Sequence, residues 1–221
     1  MTSKNLIFVG SRSKMEYLFI AADLNGYNIV GILDHHYYNR VDSRNGISYI
    51  GDERWLLDTT NSQAQKWLSD CVFFPANWWL GSQALHGELD LLALRKNRID
   101  ILERSQATVI NLFSPGQWTQ DLKSKFASTQ LGKGIFVSQD AYISAFDVTI
   151  GDYCCIEQGT KIGPRVVLGK NVCIAPFTTM ARCIVEDDCY IGLDSKLFPK
   201  DVKDPESQIV IGKNSTIWAY S

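Results

Sequence analysis

Residues 150–175 read IGDYCCIEQGTKIGPRVVLGKNVCIA, and within this stretch an aliphatic residue returns at every sixth position. The residues that carry the period are Ile150, Ile156, Ile162, Leu168 and Ile174. An α-helix repeats after about 3.6 residues and a β-strand after about 2, so neither produces this spacing. A fixed period of six is typical of the hexapeptide parallel β-helix. The stretch therefore predicts a solenoid.

The period extends beyond this stretch, from about Val137 to the end of the chain. After short interruptions it resumes at Val185, Ile191, Leu197, Ile211 and Ile217. A second set of small or β-branched residues lies four positions after the aliphatic ones: Cys154, Thr160, Val166, Val172, Thr178, Cys189, Ser195 and Ser215. We expect both sets to point into a triangular coil whose turns stack about 4.8 Å apart. The alternative, a β-sandwich with accidental spacing, is disfavoured by the number of matches.

One segment within the coil lacks the repeat. Residues 200–208 are polar and contain Asp201, Asp204, Pro205 and Glu206. We predict a loop that leaves the coil between two turns. A functional loop and a tolerated insertion both remain open.

The first half of the chain has a different pattern. Residues 5–10 and 28–34 are apolar runs typical of strands, and residues 14–24 between them have a helical pattern that ends at Asn25-Gly26. A tight turn after the first strand and an acid, Asp34, after the second are features of a nucleotide-binding βαβ unit. We predict a Rossmann-like α/β nucleotide- or sugar-binding domain over residues 1–112, a linker over 113–134 and the all-β coil over 135–221.

The turn after the first strand limits the choice of nucleotide. It reads Gly10-Ser11-Arg12-Ser13-Lys14 and contains only one glycine. A dinucleotide fingerprint needs several glycines so that the backbone can approach a pyrophosphate, and a nicotinamide cofactor is therefore disfavoured. A single nucleotide or its sugar, with Arg12 or Ser13 near phosphate, remains open beside a plain packing turn.

Composition narrows the class of protein. The chain has 221 residues, 45% of them hydrophobic, and a net charge of −2 without a basic run, so nucleic acid is not the expected partner. It contains no run of 18 apolar residues and no signal peptide, and we expect a cytoplasmic protein without a membrane span. The six cysteines form no metal-type CxxC pair, so we interpret them as reduced and structural, with no metal.

The order of the two parts resembles the hexapeptide-repeat sugar O- and N-acyltransferases of bacterial glycan synthesis, of the sialic-acid and bacillosamine acetyltransferase type. The resemblance is carried by residues 6–10, 30–34 and 48–52 and by the repeats from Val137 onward. It implies a left-handed β-helix, a homotrimer, and acetyl-CoA as co-substrate between neighbouring coils. The function it implies is acyl transfer to an amino or hydroxyl group of a nucleotide-linked sugar.

The resemblance also implies a set of site residues. The first domain would hold the nucleotide sugar through Gly10, Ser11, Arg12 and Asp34, and His35 is a candidate for a further contact, although an exposed loop is the alternative. Two residues of the coil are expected beside the coenzyme, Gly192 and Lys213.

The expected catalytic histidine is missing. In the family it lies in an Ile-Glu-His-Asp-Cys pattern and acts as the general base; the matching stretch here, residues 185–189, reads VEDDC. Asp187 takes the place of the histidine and Asp188 that of the acid that orients it, and both are our catalytic candidates. Aspartate, with a pKa of about 3.9, is a weaker base than histidine at about 6.5. The competing hypothesis is a trimeric nucleotide-sugar-binding or scaffold protein without activity. A hydratase of the carbonic anhydrase type needs histidine ligands, which the coil lacks.

Overall fold

The computed structural model describes most of the chain, and its two compact units are treated separately. The described residues are 4–11, 15–39, 43–76, 91–113, 130–138, 140–144, 146–201 and 203–221. The first unit comprises residues 1–79 and 87–112, and the second comprises residues 80–86 and 113–221. Most of the linker expected at 113–134 lies outside the described residues.

The first unit is a sheet with helices along its connections. Its strands are β1 (Lys4–Val9), β2 (Tyr27–Leu33), β3 (Ser43–Arg44), β4 (Ile47–Gly51) and β5 (Cys71–Pro75). Its helices are α1 (Met15–Leu24), the 3-10 helix η1 (Glu53–Leu57), α2 (Ser62–Asp70) and α3 (Leu91–Arg104). The strand order is β3-β4-β2-β1-β5, and all pairs are parallel except β3 with β4. The strand–helix–strand start predicted over residues 5–34 is confirmed.

The parallel strands of this unit end at one common edge. β1 and β5 are the most buried strands, because their apolar residues pack on both faces of the sheet. The carboxyl ends of β1, β2, β4 and β5 lie at the same edge, where ligands bind in open α/β sheets. Helix α2, which we did not predict, is short and buries only Ala64 and Trp67; Asn61 caps its start by accepting from Ala64 N at 3.0 Å. Among the described residues, no helix has the length and apolarity that crossing a bilayer requires.

The second unit is a three-faced parallel coil. Its strands are β6 (Leu112–Phe113), β7 (Gln130–Leu131), β8 (Phe136–Val137), β9 (Tyr142–Ile143), β10 (Val148–Ile150), β11 (Cys155–Ile156), β12 (Lys161–Ile162), β13 (Val166–Leu168), β14 (Cys173–Ile174), β15 (Thr179–Met180), β16 (Cys183–Val185), β17 (Tyr190–Ile191), β18 (Lys196–Leu197), β19 (Ile209–Ile211) and β20 (Thr216–Ile217). They form sheets of order β19-β16-β13-β10-β7, β20-β17-β14-β11-β8-β6 and β18-β15-β12-β9. Successive strands of each sheet come from successive turns of the coil.

The interior of the coil is the set of residues predicted from the period. Ile150, Ile156, Ile162, Leu168 and Ile174 are all buried in one continuous core. The small residues four positions further on are also buried, except Ser215, which is half-buried. Several of their polar groups bond to backbone of the coil; Cys154 Sγ, for example, donates to Gly169 O at 3.1 Å, and Thr178 Oγ1 donates to Gly192 O at 3.0 Å. The predicted coil is confirmed.

The polar segment between β18 and β19 is the predicted loop, and it is tied to the coil. Arg182 Nη1 donates to Asp204 O at 2.7 Å, and Arg165, at the same corner one turn earlier, donates to Pro205 O. Both arginines have a positive backbone φ, 48° at Arg182 and 55° at Arg165. The loop is therefore held along an edge of the coil.

The cysteines are structural in this fold. All six are free and buried. Burial raises the pKa of the Cys183 thiol to about 11, so this group stays neutral and packs as a small apolar side chain.

Candidate functional site

The edge of the first sheet brings three of the predicted substrate-binding residues together. Gly10 follows β1 with a φ of 90°, a conformation that favours glycine, and its N–H donates to Leu33 O at 2.8 Å. Ser11 follows and donates to Asp34 Oδ2 from its backbone N at 2.7 Å and from Oγ at 2.9 Å. Tyr49 OH lies 2.8 Å from Ser11 Oγ. The turn after β1 is therefore fixed to the tip of β2. Arg12 lies outside the described residues.

Asp34 lies inside the protein at this edge and binds the neighbouring backbone and side chains. The side chain is buried; Oδ1 accepts from His36 N at 3.0 Å and lies 2.9 Å from Arg98 Nη2. Both carboxylate oxygens are thus engaged by protein groups. This geometry supports a role in shaping the turn at Gly10 and the loop after β2.

Glu53, the first residue of η1, holds His35. Oε2 accepts from His35 N at 2.7 Å, and Oε1 lies 2.6 Å from His35 Nδ1 and accepts from Arg98 Nε at 2.8 Å. Burial raises the pKa of Glu53, but the charge of Arg98 and the hydrogen bonds from Arg98 and His35 outweigh it, and the net pKa lies below the usual value. Glu53 is therefore an ionised carboxylate inside the protein.

Arg98 is the cation that serves both buried acids. Its side chain is 1% exposed and it bridges Asp34 and Glu53. Donor atoms of Asp34, His35 and Glu53 lie within 4.8 Å of one another, a spacing that a metal ion could use. Because the Arg98 guanidinium already lies against an oxygen of each carboxylate, we assign the cluster as an ion network.

Sequence reasoning missed Glu53 and Arg98. A signal for Glu53 was available, since it comes two residues after β4 and therefore lies at the same edge as Asp34. Arg98 had a weaker signal, a basic residue in the middle of α3. Aromatic rings line the same edge: Tyr37 stacks on Tyr49 at 5.7 Å between centroids, and His35 lies on His36 at 3.9 Å.

The second candidate region is one corner of the coil. The residues two positions after β7, β10, β13, β16 and β19 fall on this corner in successive turns, and they alternate in charge: Lys133, Asp152, Lys170, Asp187 and Lys213. Asp152 Oδ1 accepts from Lys133 N at 2.9 Å, and Asp187 Oδ1 accepts from Lys170 N at 2.9 Å. We call these five residues the corner ladder. Asp187 and Asp152 hold equivalent places in it.

Asp187 contacts the neighbouring members of the corner ladder, Lys170 and Lys213. Besides Lys170 N, it contacts Lys213 Nζ with Oδ2 at 3.1 Å, and the side chains of Asp187 and Lys213 are 40% and 60% exposed. The Lys170 N–H and the Lys213 ammonium lower the pKa of the Asp187 carboxyl. A Cβ on Gly169 would lie 2.5 Å from Asp187 Oδ1, so a glycine is needed beneath this carboxylate. The Asp187 carboxylate thus has a structural role.

Asp188 faces a different partner. Its backbone is left-handed, with a φ of 60°, as at Tyr153, Asn171 and Asn214 one turn apart. Asp188 Oδ1 accepts from Asn171 Nδ2 at 2.9 Å. The two adjacent carboxylates therefore bind separate groups.

The predicted coenzyme residues lie in the last turns of the coil. A Cβ on Gly192 would lie 2.6 Å from Ala219 N, so this glycine allows the next turn to stack. Lys213 N donates to Glu186 Oε2 at 3.0 Å, which leaves its ammonium at the surface beside Asp187.

Residues 147–182 match the family model of the bacterial transferase hexapeptide (six repeats). A search among curated proteins finds no match. Solved structures with the same fold include that of perosamine N-acetyltransferase from Caulobacter crescentus in complex with CoA and GDP-perosamine. One of these structures is of a variant of that enzyme in which a histidine is changed to asparagine. Its sequence is 18% identical to this chain, and the TM-score is 0.61 over 99% of this chain and 84% of that chain. PerB from the same organism, with the same ligands, is 17% identical, with a TM-score of 0.60 over the same shares.

The family model describes the repeats, and the solved structures describe the fold. Residues 147–182 match bacterial transferase hexapeptide repeats, and the parallel sheets of the second unit fit a left-handed β-helix. The chain has the fold of hexapeptide-repeat sugar acetyltransferases, which confirms the resemblance found in the sequence at the level of repeats and fold.

Proposed function

We propose that this protein is an acyl-CoA-dependent acyltransferase that transfers an acetyl group to an amino or hydroxyl group of a nucleotide-linked sugar in glycan biosynthesis. The observation that carries the proposal is the fold, since structures that hold both CoA and GDP-perosamine match 99% of this chain. A thiol-release assay with acetyl-CoA and a panel of nucleotide amino sugars tests it. CoA release that depends on one acceptor supports the proposal, and release at background level with every acceptor contradicts it.

We propose a separate role for each of the two units. The first unit acts as a Rossmann-like nucleotide-sugar domain, with Gly10, Ser11, Arg12 and His35 toward the ligand and Asp34 supporting them. The Gly10–Asp34 arrangement supports this, because a glycine turn over a buried acid shapes the carboxyl edge of the sheet. In the second unit we propose that Gly192 and Lys213 contact CoA; the exposed Lys213 ammonium suits a phosphate.

Assembly as a homotrimer in the cytoplasm is part of the proposal. On the face formed by β10, β13, β16 and β19, an aliphatic column points outward: Val167, Ile184 and Val210 are aligned in adjacent strands. Val210 is 63% exposed. An exposed apolar strip of this kind is suited to burial against another coil.

Acyl transfer requires that the acceptor lose a proton. Its nitrogen or oxygen attacks the thioester carbonyl, the carbon–sulfur bond breaks, and the thiolate of CoA leaves. We propose, from the resemblance, that Asp187 is the proton acceptor and that Asp188 lies beside it. The lowered pKa of Asp187 and its contact with Lys213 make it a weak base.

The variant Asp187→Asn tests that assignment. If Asp187 is the base, we expect kcat to fall by about 10²–10⁴-fold while the acceptor KM changes little. If Asp187 is only a member of the corner ladder, kcat stays within a few-fold and the free energy of unfolding changes little, because the pair with Lys213 is exposed. Steady-state kinetics and urea unfolding separate the two, with Asp152→Asn as the matched control from the same ladder.

The alternative function is a trimeric nucleotide-sugar-binding or scaffold protein without activity. Its support is that the coil contains no histidine, since the three histidines of the chain are residues 35, 36 and 86. Calorimetry distinguishes the two functions: tight binding of CoA by the wild type favours the enzyme. Transfer that appears only in Asp187→His would favour a protein that has lost its activity.

A further inference from the structure

The acid at the tip of β2 has its acceptor positions occupied by protein groups. In dinucleotide-binding βαβ units such an acid binds the ribose 2′-hydroxyl. Here Asp34 Oδ2 accepts from Ser11 N at 2.7 Å and from Ser11 Oγ at 2.9 Å. Asp34 Oδ1 accepts from His36 N at 3.0 Å and lies 2.9 Å from Arg98 Nη2. A carboxylate has about four acceptor positions, and this side chain is 1% exposed, so a ribose hydroxyl would have to displace one of these partners.

The two acids that follow β4 are engaged in the same way. Glu53 accepts from His35 N at 2.7 Å and from Arg98 Nε at 2.8 Å, and its side chain is wholly buried. Asp52 accepts from Arg54 N and Nε at 2.9 Å and pairs with Arg54 Nη2. The carboxylates that the structure describes directly after β2 and β4 are therefore all committed to the protein's own groups.

The same edge presents an aromatic platform formed by Tyr37 and Tyr49. Their rings are stacked, with 5.7 Å between the centroids and 29° between the planes. Tyr49 is buried, and its hydroxyl lies 2.8 Å from Ser11 Oγ in the turn after β1. Tyr37 is half-buried and is therefore the outer ring of the pair.

Asp34 fixes the loop that carries the outer ring. Its backbone O accepts from Tyr37 N at 3.2 Å and from Tyr38 N at 2.9 Å, and its side chain accepts from His36 N. The Tyr38 ring in turn packs edge-on against Trp55, with 5.1 Å between the centroids. Asp34 is thus a positioning residue for the platform. A ring held in place before a ligand arrives lowers the entropic cost of binding.

We propose that the first unit binds the base of a nucleotide by stacking on Tyr37 and does not select the ribose 2′-hydroxyl. The inference rests on the proposed function and names its substrate class. Sugars linked to ribonucleotides and sugars linked to 2′-deoxyribonucleotides are both accepted. Because every base has an aromatic face, stacking on a tyrosine also tolerates different bases.

Calorimetry on the full-length wild type tests the ribose part of the proposal. The probes are GDP and UDP, each compared with its 2′-deoxy counterpart. We expect the two Kd values within each pair to agree within about 3-fold. A hydrogen bond from the 2′-hydroxyl to a carboxylate would instead weaken the deoxy probe by about 10–150-fold, and a ratio in that range overturns the proposal.

Variants at Tyr37 test the stacking part. Tyr37→Ala should raise the Kd of every probe that binds by about 5–150-fold, the range that loss of one base–aromatic stack produces. Tyr37→Phe is the matched control, because it keeps the ring and loses only the hydroxyl, and its Kd should stay within about 3-fold of the wild type. Tyr37→Trp, with a wider ring, should bind at least as tightly. Circular dichroism shows that each variant is folded. Equal Kd values for wild type and Tyr37→Ala overturn the platform.

Failure of this inference and failure of the proposed function give different results. Nucleotide binding that follows these expectations, without thiol release from any acceptor, overturns the acyltransferase and leaves the nucleotide site. Thiol release with a nucleotide sugar, together with an unchanged Kd in Tyr37→Ala, overturns the platform and leaves the enzyme. A wild type that binds none of the four probes also overturns the inference.

Discussion

Replacing Arg98 with Met is expected to lower the free energy of unfolding of the first unit by about 3–5 kcal/mol. Arg98 bridges Asp34 and Glu53, and all three side chains are at most 1% exposed. Without the guanidinium, two carboxylates remain buried without their cation. The cost of removing one partner of a buried ion network is much larger than the net contribution of the network.

Urea unfolding followed by tryptophan fluorescence measures this change. Arg104→Gln is the matched control, because its i,i+4 pair with Asp100 at 3.2 Å is exposed and contributes about 0.3–0.5 kcal/mol. The double variant Arg98→Met with Glu53→Gln should recover part of the loss, since it removes one of the unpaired charges. Equal losses in Arg98→Met and Arg104→Gln would contradict the buried network.

The same variant has a predicted pH dependence. In the wild type the pKa of Glu53 is lowered, so its stabilisation is present above the unfolded pKa and is lost as the pH falls through the folded value. In Arg98→Met burial dominates and raises that pKa, so the penalty is largest at neutral pH and is relieved in acid. The stability difference between wild type and variant should therefore shrink as the pH falls from about 7 to about 4.

Replacing Ile174 with Ala is expected to cost the coil about 2–5 kcal/mol. Ile174 is fully buried and lies between Ile156 and Ile191 in adjacent turns. The shorter side chain leaves a cavity that rigid stacked strands cannot close. Urea unfolding followed by far-UV circular dichroism measures the loss.

Lys161→Ala is the control for this change. Lys161 lies on β12 and is exposed, one residue before the inward Ile162. We expect its unfolding free energy to remain within about 0.5 kcal/mol of the wild type. If Ile174→Ala is equally mild, the inward direction of the six-residue positions is wrong.

The coil was predictable from the sequence because each repeat position has one environment. An aliphatic residue at every sixth position can be buried only if the chain turns after each short strand, and Ile150, Ile156 and Ile162 occupy these places. The corner ladder was not predictable in the same way. The number of residues between one member of the ladder and the next is not constant, because the coil contains a loop and irregular turns.

The site in the first unit was predictable only in part. Asp34 and His35 follow a strand, and the edge of a parallel sheet collects such residues. The side chains that bind these residues are distant in the sequence. Arg98, for example, binds Glu53, which lies 45 residues before it. A side chain's role as ligand, base or support depends on such contacts, and one-dimensional patterns do not contain them.

A crystal structure of the protein soaked with CoA and a nucleotide amino sugar tests the central claim most directly. We predict that CoA binds along the coil in contact with Lys213, and that the nucleotide sugar lies at the edge formed by Gly10, Ser11 and His35. CoA bound away from the coil, or a nucleotide sugar that leaves this edge empty, would contradict the account.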